Sequence, residues 1–248
     1  MTTFSILTLN LWNINAPIET RFGAFERGLK RLAPDIVCLQ EVAREPQLGQ
    51  SQADRVAKIC NHVHVAEDNG LAITSSNPFG PPTSVSLPEF SGDFPRRSLS
   101  VEMVIDGRPL LVTNTHLAYP PEMSLERKSQ VDVLLGAIAR RCSTATGLAK
   151  VLCGDFNDTD TSPAIRAVLD SDLHFHDVFA ECHPGSPGFT YSPRNKYVEP
   201  SWTLDERIDY IFVSRDIVPT YCSVVFDGTG GFDLVSDHFG VFCKLAFR

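Results

Sequence analysis

Two mixed β-sheets packed together, with helices outside, form the architecture predicted for this 248-residue chain, read as one α/β domain over 1–248. Three features point there. Short apolar or alternating runs read as strands, and longer segments carry the spacing of an amphipathic helix. Asp106-Gly107 lies between two strand-like runs as a hairpin turn. Strands interleaved with helices indicate the α/β class. Strand pairs closed by hairpins are antiparallel, which argues against a purely parallel, doubly wound sheet.

Phe4 to Asn10 alternates apolar and polar residues, as a strand does. Glu19 to Leu32 follows with Phe22, Phe25, Leu29 and Leu32 on one helical face, and Pro34 breaks it. Asp35 to Glu41 is a short apolar run closing in polar residues, the pattern of a buried strand with its end at a site. Val63 to Ala66 and Leu71 to Ser75 read as further short strands. Asn77 to Pro95, rich in Pro, Ser and Gly, predicts a long loop and a candidate substrate-facing flap. Ser98 to Ile105 and Pro109 to Leu117 flank the Asp-Gly turn. Leu125 to Arg141 predicts a helix with Val131, Leu134, Leu135 and Ile138 as its apolar positions. Val151 to Gly154 reads as a buried strand running into Asp155-Phe156-Asn157. Ser162 and Pro163 supply the N-cap and first position of a helix to about Leu169. Ile208 to Val213, Tyr221 to Phe226 and Phe239 to Phe247 make the last third strand-rich, with Phe189 to Leu204 irregular.

Hydrophobic residues make up 43% of the chain and charged residues 21%, enough apolar material to fold without a metal or disulfide. The net charge of −8 lacks the general basic footprint of nucleic-acid binding. It disfavours a nucleic-acid partner without excluding one. The seven cysteines are odd in number and show no CxxC spacing, so they read as scattered thiols in a reducing compartment rather than a zinc site. No basic stretch followed by an apolar one opens the chain, and no run is long enough to span a membrane. A cytoplasmic monomer is the expectation.

Polar residues recur at the ends of the predicted strands. Asn10 and Glu41 close the first two, and His116 ends the hairpin strand. Asp155 and Asn157 follow the Val151 run, Asp209 begins the Ile208 strand, and Asp237-His238 precedes the last strand. Strand ends are where α/β proteins commonly build sites. Taken singly, each Asp is explained as well by a turn or cap, and His116 by a hydrogen-bonded core histidine. Taken together, carboxylates and an amide are hard oxygen donors suited to Mg2+, with Mn2+ or Ca2+ as substitutes. No HExxH pattern points to zinc. Histidine, titrating near neutrality, suits acid–base work.

Six short motifs stand in order: Leu9-Asn10-Leu11-Trp12, Leu39-Gln40-Glu41-Val42, Asn114-Thr115-His116-Leu117, Gly154-Asp155-Phe156-Asn157, Arg207-Ile208-Asp209-Tyr210 and Ser236-Asp237-His238. In this the chain resembles the endonuclease/exonuclease/phosphatase superfamily from residue 10 to 238. The resemblance implies a DNase I-like, four-layer α-β-β-α sandwich. It also implies roles. Glu41 is the main metal carboxylate, with Asn10 beside it and Asp237 a further carboxylate of the metal site. Asp155 and Asn157 orient the attacking water and the phosphoryl oxygens. His238 is the general base, held and polarised by Asp209, and His116 hydrogen-bonds the phosphate. Abasic-site endonucleases of the family carry tyrosine at the place of His116, which points away from that branch. Asn69 resembles a residue supporting the second histidine, with a plain Asn-Gly turn as the alternative. Thr190, Ser192 and Asn195 resemble a stretch that approaches substrate in some members, with an ordinary surface loop as the alternative. Arg97, with Arg96 beside it, is a candidate phosphate holder or half of a solvated pair.

The expected activity is Mg2+-dependent hydrolysis of a phosphodiester by water activated at a His/Asp pair. A DNA or RNA nuclease is the alternative, and would need a track of basic and aromatic side chains. Arg27, Lys30 and Arg31 read instead as a solvated helix face. A lipid phosphodiesterase would need an apolar lip, for which Leu87-Pro88-Glu89-Phe90 and Phe94 are candidates. The first and third motifs are closer in style to sphingomyelinase-like and general phosphodiesterase branches, so the sequence leans toward a non-nucleic diester. A catalytically silent binding scaffold is the third reading, opposed by the joint presence of Glu41, Asp155, Asn157, Asp209 and His238.

Overall fold

A computed structural model describes residues 3–45, 49–145 and 147–248. In chain order the elements are β1 (Thr3–Asn10), α1 (Ile18–Leu32), β2 (Ile36–Gln40), β3 (Arg44–Glu45), β4 (Gln50–Ser51), α2 (Gln52–Cys60), β5 (His64–Asp68), β6 (Leu71–Ser75) and β7 (Thr83–Ser86). They continue with β8 (Arg97–Ile105), β9 (Arg108–His116), α3 (Ser124–Ser143), β10 (Ala149–Asp155), α4 (Pro163–Leu169), β11 (Phe175–Asp177), α5 (Val178–Cys182), β12 (Asp209–Ser214), β13 (Ile217–Val225) and β14 (Gly240–Phe247).

The strands form two six-stranded sheets, ordered β13-β14-β1-β2-β6-β5 and β11-β12-β10-β9-β8-β7, beside a small β3-β4 pair. Each large sheet contains one parallel pair, β1 with β2 and β9 with β10. A helix joins each pair, α1 in the first and α3 in the second, because a parallel connection must cross over. The remaining pairs are antiparallel.

Alternation along the strands builds the layers. Ile6, Ile36 and Cys38 face Val112, Val151, Cys153, Ile211 and Val213 in a core between the sheets. The intervening residues Leu7, Leu9, Val37 and Leu39 turn outward onto Phe22, Phe25 and Leu29 of α1 and Val56 of α2. On the other side Leu111, Leu152 and Phe212 meet Val131, Leu134 and Ile138 of α3 and Ile165 of α4. Both faces of the central strands are covered, which is why they read as nearly continuous apolar runs. The expected four-layer α-β-β-α sandwich is the observed one.

Turn chemistry follows the sequence. Asp106 and Gly107 have φ of 47° and 79°, and Asn69 and Gly70 have 45° and 78°, as primed hairpin turns require. Ser162 caps α4 by accepting from Ile165 N. Six elements were not anticipated, among them the two-residue strands β3 and β4. The short α2 buries Ala53, Val56 and Ala57, with Ile59 and Cys60 partly buried beside them. β7 lies inside the segment expected to be a loop, as an exposed edge strand paired only with β8. β11 and α5 are too short for periodicity to register. Leu87, offered above as part of an apolar lip, is instead 3% exposed and packs in the core beneath α3. Among the described residues no helix is long and apolar enough to cross a membrane.

Candidate active site

The ends of β1, β2, β9 and β10 converge at one edge of the sandwich, and sheet register does most of the assembly. Asp155 on β10 lies opposite His116 on β9 and opposite Asp209 on β12. Three adjacent strands therefore present three functional side chains side by side. On the facing sheet, Asn10 ends β1 and Glu41 follows β2, whose last residue Gln40 is the register partner of Asn10.

Asp155 is the hub. Its buried Oδ2 accepts from Asn10 Nδ2 at 3.0 Å across the sandwich, and lies 3.4 Å from His116 Nε2 and 3.7 Å from His238 Nε2. Its Oδ1 accepts from the Asn157 N–H at 2.9 Å. The same Asn10 nitrogen donates to Glu41 Oε1 at 3.2 Å, while Asn10 Oδ1 accepts from Trp12 N. As drawn, Asn10 presents its nitrogen to the two acids and orients both. Glu41 and Asn157 have left-handed φ of 51° and 50°. For Glu41 this is a strained backbone, of the kind that clusters at functional sites at a cost of about 1–3 kcal/mol.

His238 is buried, with Nδ1 2.9 Å from Asp209 Oδ2. A carboxylate can only accept, so the bridging proton belongs to Nδ1 and Nε2 faces the cleft. Asp209 is itself fixed: Thr190 Oγ1 accepts from the N–H groups of Ile208 and Asp209, both at 3.1 Å. Ser236 Oγ donates to Asn10 O at 2.6 Å and ties the Asp237-His238 segment to β1.

The two histidines differ electrostatically. Burial acts to lower His238, but Asp209, Asp155 and Asp237 outweigh it and hold the imidazole well above its ordinary value. Burial also dominates at His116, where Asp155 opposes it, Arg96 and His238 reinforce it, and the result is about 4. Asp237 is pushed up to about 6, first by burial and then, against the pull of His238, by Glu41 and Asp155.

These groups form the floor of a cleft of about 940 Å³. Of the other predicted residues, Arg97 lines the cleft with its guanidinium 3.5 Å from Asp68. Arg96 is not half of a solvated pair: it is buried and grips Asp93 through two hydrogen bonds. Asn69 sits in its turn at the cleft edge and donates to Pro95 O at 3.0 Å, a bond to the neighbouring loop rather than to His116. Asn195, expected near substrate, is buried behind Asp237, where its amide donates to Ser236 O and Asp237 O; it is not among the residues lining the cleft.

Sequence reasoning did not single out Tyr191, whose ring packs 4.9 Å from the His238 ring. It also passed over Arg21 and Arg127, buried arginines that hold the loops of the rim. Their signal was faint. Each is an arginine falling beside the apolar positions of its helix rather than on the polar face.

The donor set suits a hard divalent cation. Glu41, Asp155, Asp209 and Asp237 crowd negative charge around two histidines, and Asp237 is raised first by its burial and then by Glu41 and Asp155. Asp209 Oδ1 is buried and has no protein partner among the described residues. Ligand atoms of Asp155, Asp209 and His238 lie within 4.8 Å of one another. Asp209 and His238 already bond each other, while the carboxylates of Glu41, Asp155 and Asp237 line the cleft.

Comparison with known proteins bears on the family and the fold. Residues 7–238 match the family model described as Endonuclease/Exonuclease/phosphatase family. Protein angel homolog 1 of Homo sapiens is 30% identical over 97 residues, 38% of this chain and 14% of that protein. Carbon catabolite repressor protein 4 homolog 3 of Arabidopsis thaliana is 31% identical over 162 residues, 59% of this chain and 34% of that protein. The chain thus spans only 14% to 34% of these relatives' lengths. Among solved structures, D. rerio TDP2 complexed with single-strand DNA product has a TM-score of 0.80 at 20% identity, covering 99% of this chain and 100% of that one. Identity this low speaks to the fold.

Proposed function

Since the chain belongs to the endonuclease/exonuclease/phosphatase family, we propose that it hydrolyses a phosphodiester, with Mg2+ and with water activated at His238. The observation that carries this reading is the buried His238–Asp209 bond of 2.9 Å, directed into the same cleft as Asp155, Asn157 and Glu41.

A divalent cation, Mg2+ first and Mn2+ or Ca2+ as substitutes, would be held by Glu41, Asp155 and Asp237, and would neutralise charge on the phosphoryl and leaving oxygens. The protein does the rest. The carboxylates that raise His238 are the ones a bound cation would offset, so that Nε2 would be free to take the proton of the attacking water, with Asp209 stabilising the imidazolium that results. Asn10 holds Asp155 and Glu41 in register with each other. Asn157 lines the cleft with its backbone N–H bound to Asp155 and its amide nitrogen donating to Leu117 O. His116, kept neutral by burial, has an N–H to donate to a phosphoryl oxygen without adding a competing cation. No serine or cysteine nucleophile is needed.

Hydrolysis of bis-p-nitrophenyl phosphate, with Mg2+ and with EDTA, tests the reading. His238→Ala is expected to lower kcat by about 10²- to 10⁴-fold, the usual contribution of a positioned base, at an unchanged circular dichroism spectrum. Activity that survives chelation would remove the cation from the mechanism, and full activity in His238→Ala would remove the base.

A further inference from the structure

Phe94 and Tyr119 stand in the cleft wall with 78% and 63% of their surfaces exposed. Scattered exposed apolar residues need no explanation. These two differ because the backbone beneath them is fixed by buried charge. The Asp93 carboxylate accepts from the backbone N–H groups of both Phe94 and Tyr119. Arg96 binds the same carboxylate through Nε at 2.9 Å and Nη2 at 2.6 Å, and the side chains of Arg96 and Asp93 are only 9% and 2% exposed. Arg127 donates to Ala118 O and Pro120 O, the carbonyls on either side of Tyr119. One buried ion pair therefore joins the loop before β8 to the loop after β9, and each loop presents one exposed ring to the cleft.

The charge around them narrows what they meet. Arg96 and Arg127 spend their hydrogen bonds inside the protein, on Asp93 and on Asp158 with three carbonyls. Arg97 is left as the most available cation lining the cleft, and the chain as a whole carries −8. The net charge thus disfavours an anionic membrane, and among the described residues that line it the cleft offers no cationic track for a long polyanion. It does offer aromatic faces, with Trp12 and Trp202 also lining the cleft. Rings stack on planar heterocycles irrespective of base identity.

We propose that Phe94 and Tyr119 are specificity-determining residues that stack on a nucleobase of the ester, so that the substrate is a nucleoside phosphodiester. This rests on the phosphodiesterase reading above. The sequence's lean toward a non-nucleic diester is turned by the aromatic half of a nucleic-acid track being present where the basic half is not.

The test compares thymidine 5′-(p-nitrophenyl phosphate) with methyl p-nitrophenyl phosphate, which share a leaving group, using the full chain with Mg2+. In F94A/Y119A the ratio of kcat/KM, thymidine ester over methyl ester, is expected to fall by about 5- to 150-fold, the range that stacking one base corresponds to. An unchanged ratio would overturn the proposal. Binding of thymidine monophosphate and of a fluorescein-labelled (dT)5 strand to His238→Ala, with and without F94A/Y119A, reads stacking without turnover. It therefore decides the point even where neither ester is cut, which would count against the phosphodiesterase reading instead. A loss of affinity in the same range supports stacking, and equal affinity overturns it. Tighter binding of (dT)5 than of the mononucleotide assigns a strand end, and similar affinity assigns a free nucleotide ester. Loss of binding to sphingomyelin vesicles alone would overturn the proposal in favour of a lipid lip.

Discussion

The two sheets close the cleft from opposite sides, and each holds its rim with one buried arginine. Arg21 on α1 donates to the carbonyls of Leu11, Asn13, Asn15 and Val235 at 2.8–3.1 Å. Arg127 on α3 donates to the carbonyls of Ala118, Pro120 and Pro121, and to the Asp158 carboxylate at 3.0 Å. The mechanical task is the same and the charge balance is not. Arg127 is neutralised where it stands. Arg21 bonds carbonyls alone among the described residues; burial lowers it, with Asp237, Tyr197 and Glu41 opposing. The first half thus uses its clamp as counter-charge to the acids of the site, while the second half keeps its clamp electrically closed.

Two glycines sharpen the contrast most. Gly154 on β10 has φ of 137°, and a Cβ there would lie 2.0 Å from Thr115 O on the adjacent strand. Backbone in a central strand cannot yield, so Gly154→Ala is expected to cost more than about 4 kcal/mol, or to leave no folded protein. Gly28 on α1 would place its Cβ 2.1 Å from Phe226 Cε1, a side-chain atom. Repacking that ring is expected to cost about 1–3 kcal/mol in Gly28→Ala. Urea unfolding of both variants measures the difference. Equal losses would mean that the helix-to-sheet contact in the first half is as unyielding as the strand pair in the second.

The clamps come next. Arg127→Met leaves Asp158 buried without its cationic partner, with the Ser124 hydroxyl still donating to it, and is expected to cost about 3–5 kcal/mol by urea unfolding. Adding Asp158→Asn should recover part of that, because the orphaned charge goes with it. Arg21→Met orphans carbonyls and no carboxylate, and is expected to cost about 1–3 kcal/mol. If Arg21→Met costs as much as Arg127→Met, hydrogen bonds to carbonyls rather than ionic balance govern both clamps.

What the sequence disclosed and what it concealed divide along the same lines. Local rules were legible: the face of Phe22, Phe25 and Leu29, the Asp106-Gly107 turn, the Ser162-Pro163 helix start, and polar residues closing strands. Residue types at strand ends also pointed to the chemistry of the site. Register was hidden, because His116, Asp155 and Asp209 become neighbours only when three strands pair. The Asn10–Asp155 bond spans 145 residues, beyond the reach of any periodicity. Buried arginines escaped for a related reason: Arg96 looks solvated until Asp93 is seen to be buried against it.

The smallest effect also belongs to one half. His62, before β5, is buried with Nε2 2.8 Å from Pro34 O and Nδ1 2.7 Å from Thr74 Oγ1. Pro34 O only accepts, so Nε2 carries the proton and Nδ1 accepts from the Thr74 hydroxyl, an arrangement that requires neutral imidazole. Burial holds His62 below its ordinary value, against Pro34 O and Asp35. On the β11–α5 side, His174, His176 and His183 are at least partly exposed and offer no counterpart. Above the unfolded-state value of about 6.5 both states are neutral and the contribution of His62 is fully present. As pH falls below that, the unfolded chain takes up a proton that the folded one refuses, and stability declines until the lower folded-state value is passed. The advantage of the native chain over His62→Gln, from urea unfolding between pH 7.5 and 5, is therefore expected to be flat at the top of that range. It should then shrink by about 1 kcal/mol toward pH 5. An advantage that grows toward pH 5 would mean that the folded protein holds His62 protonated, with the Thr74 hydroxyl turned to accept.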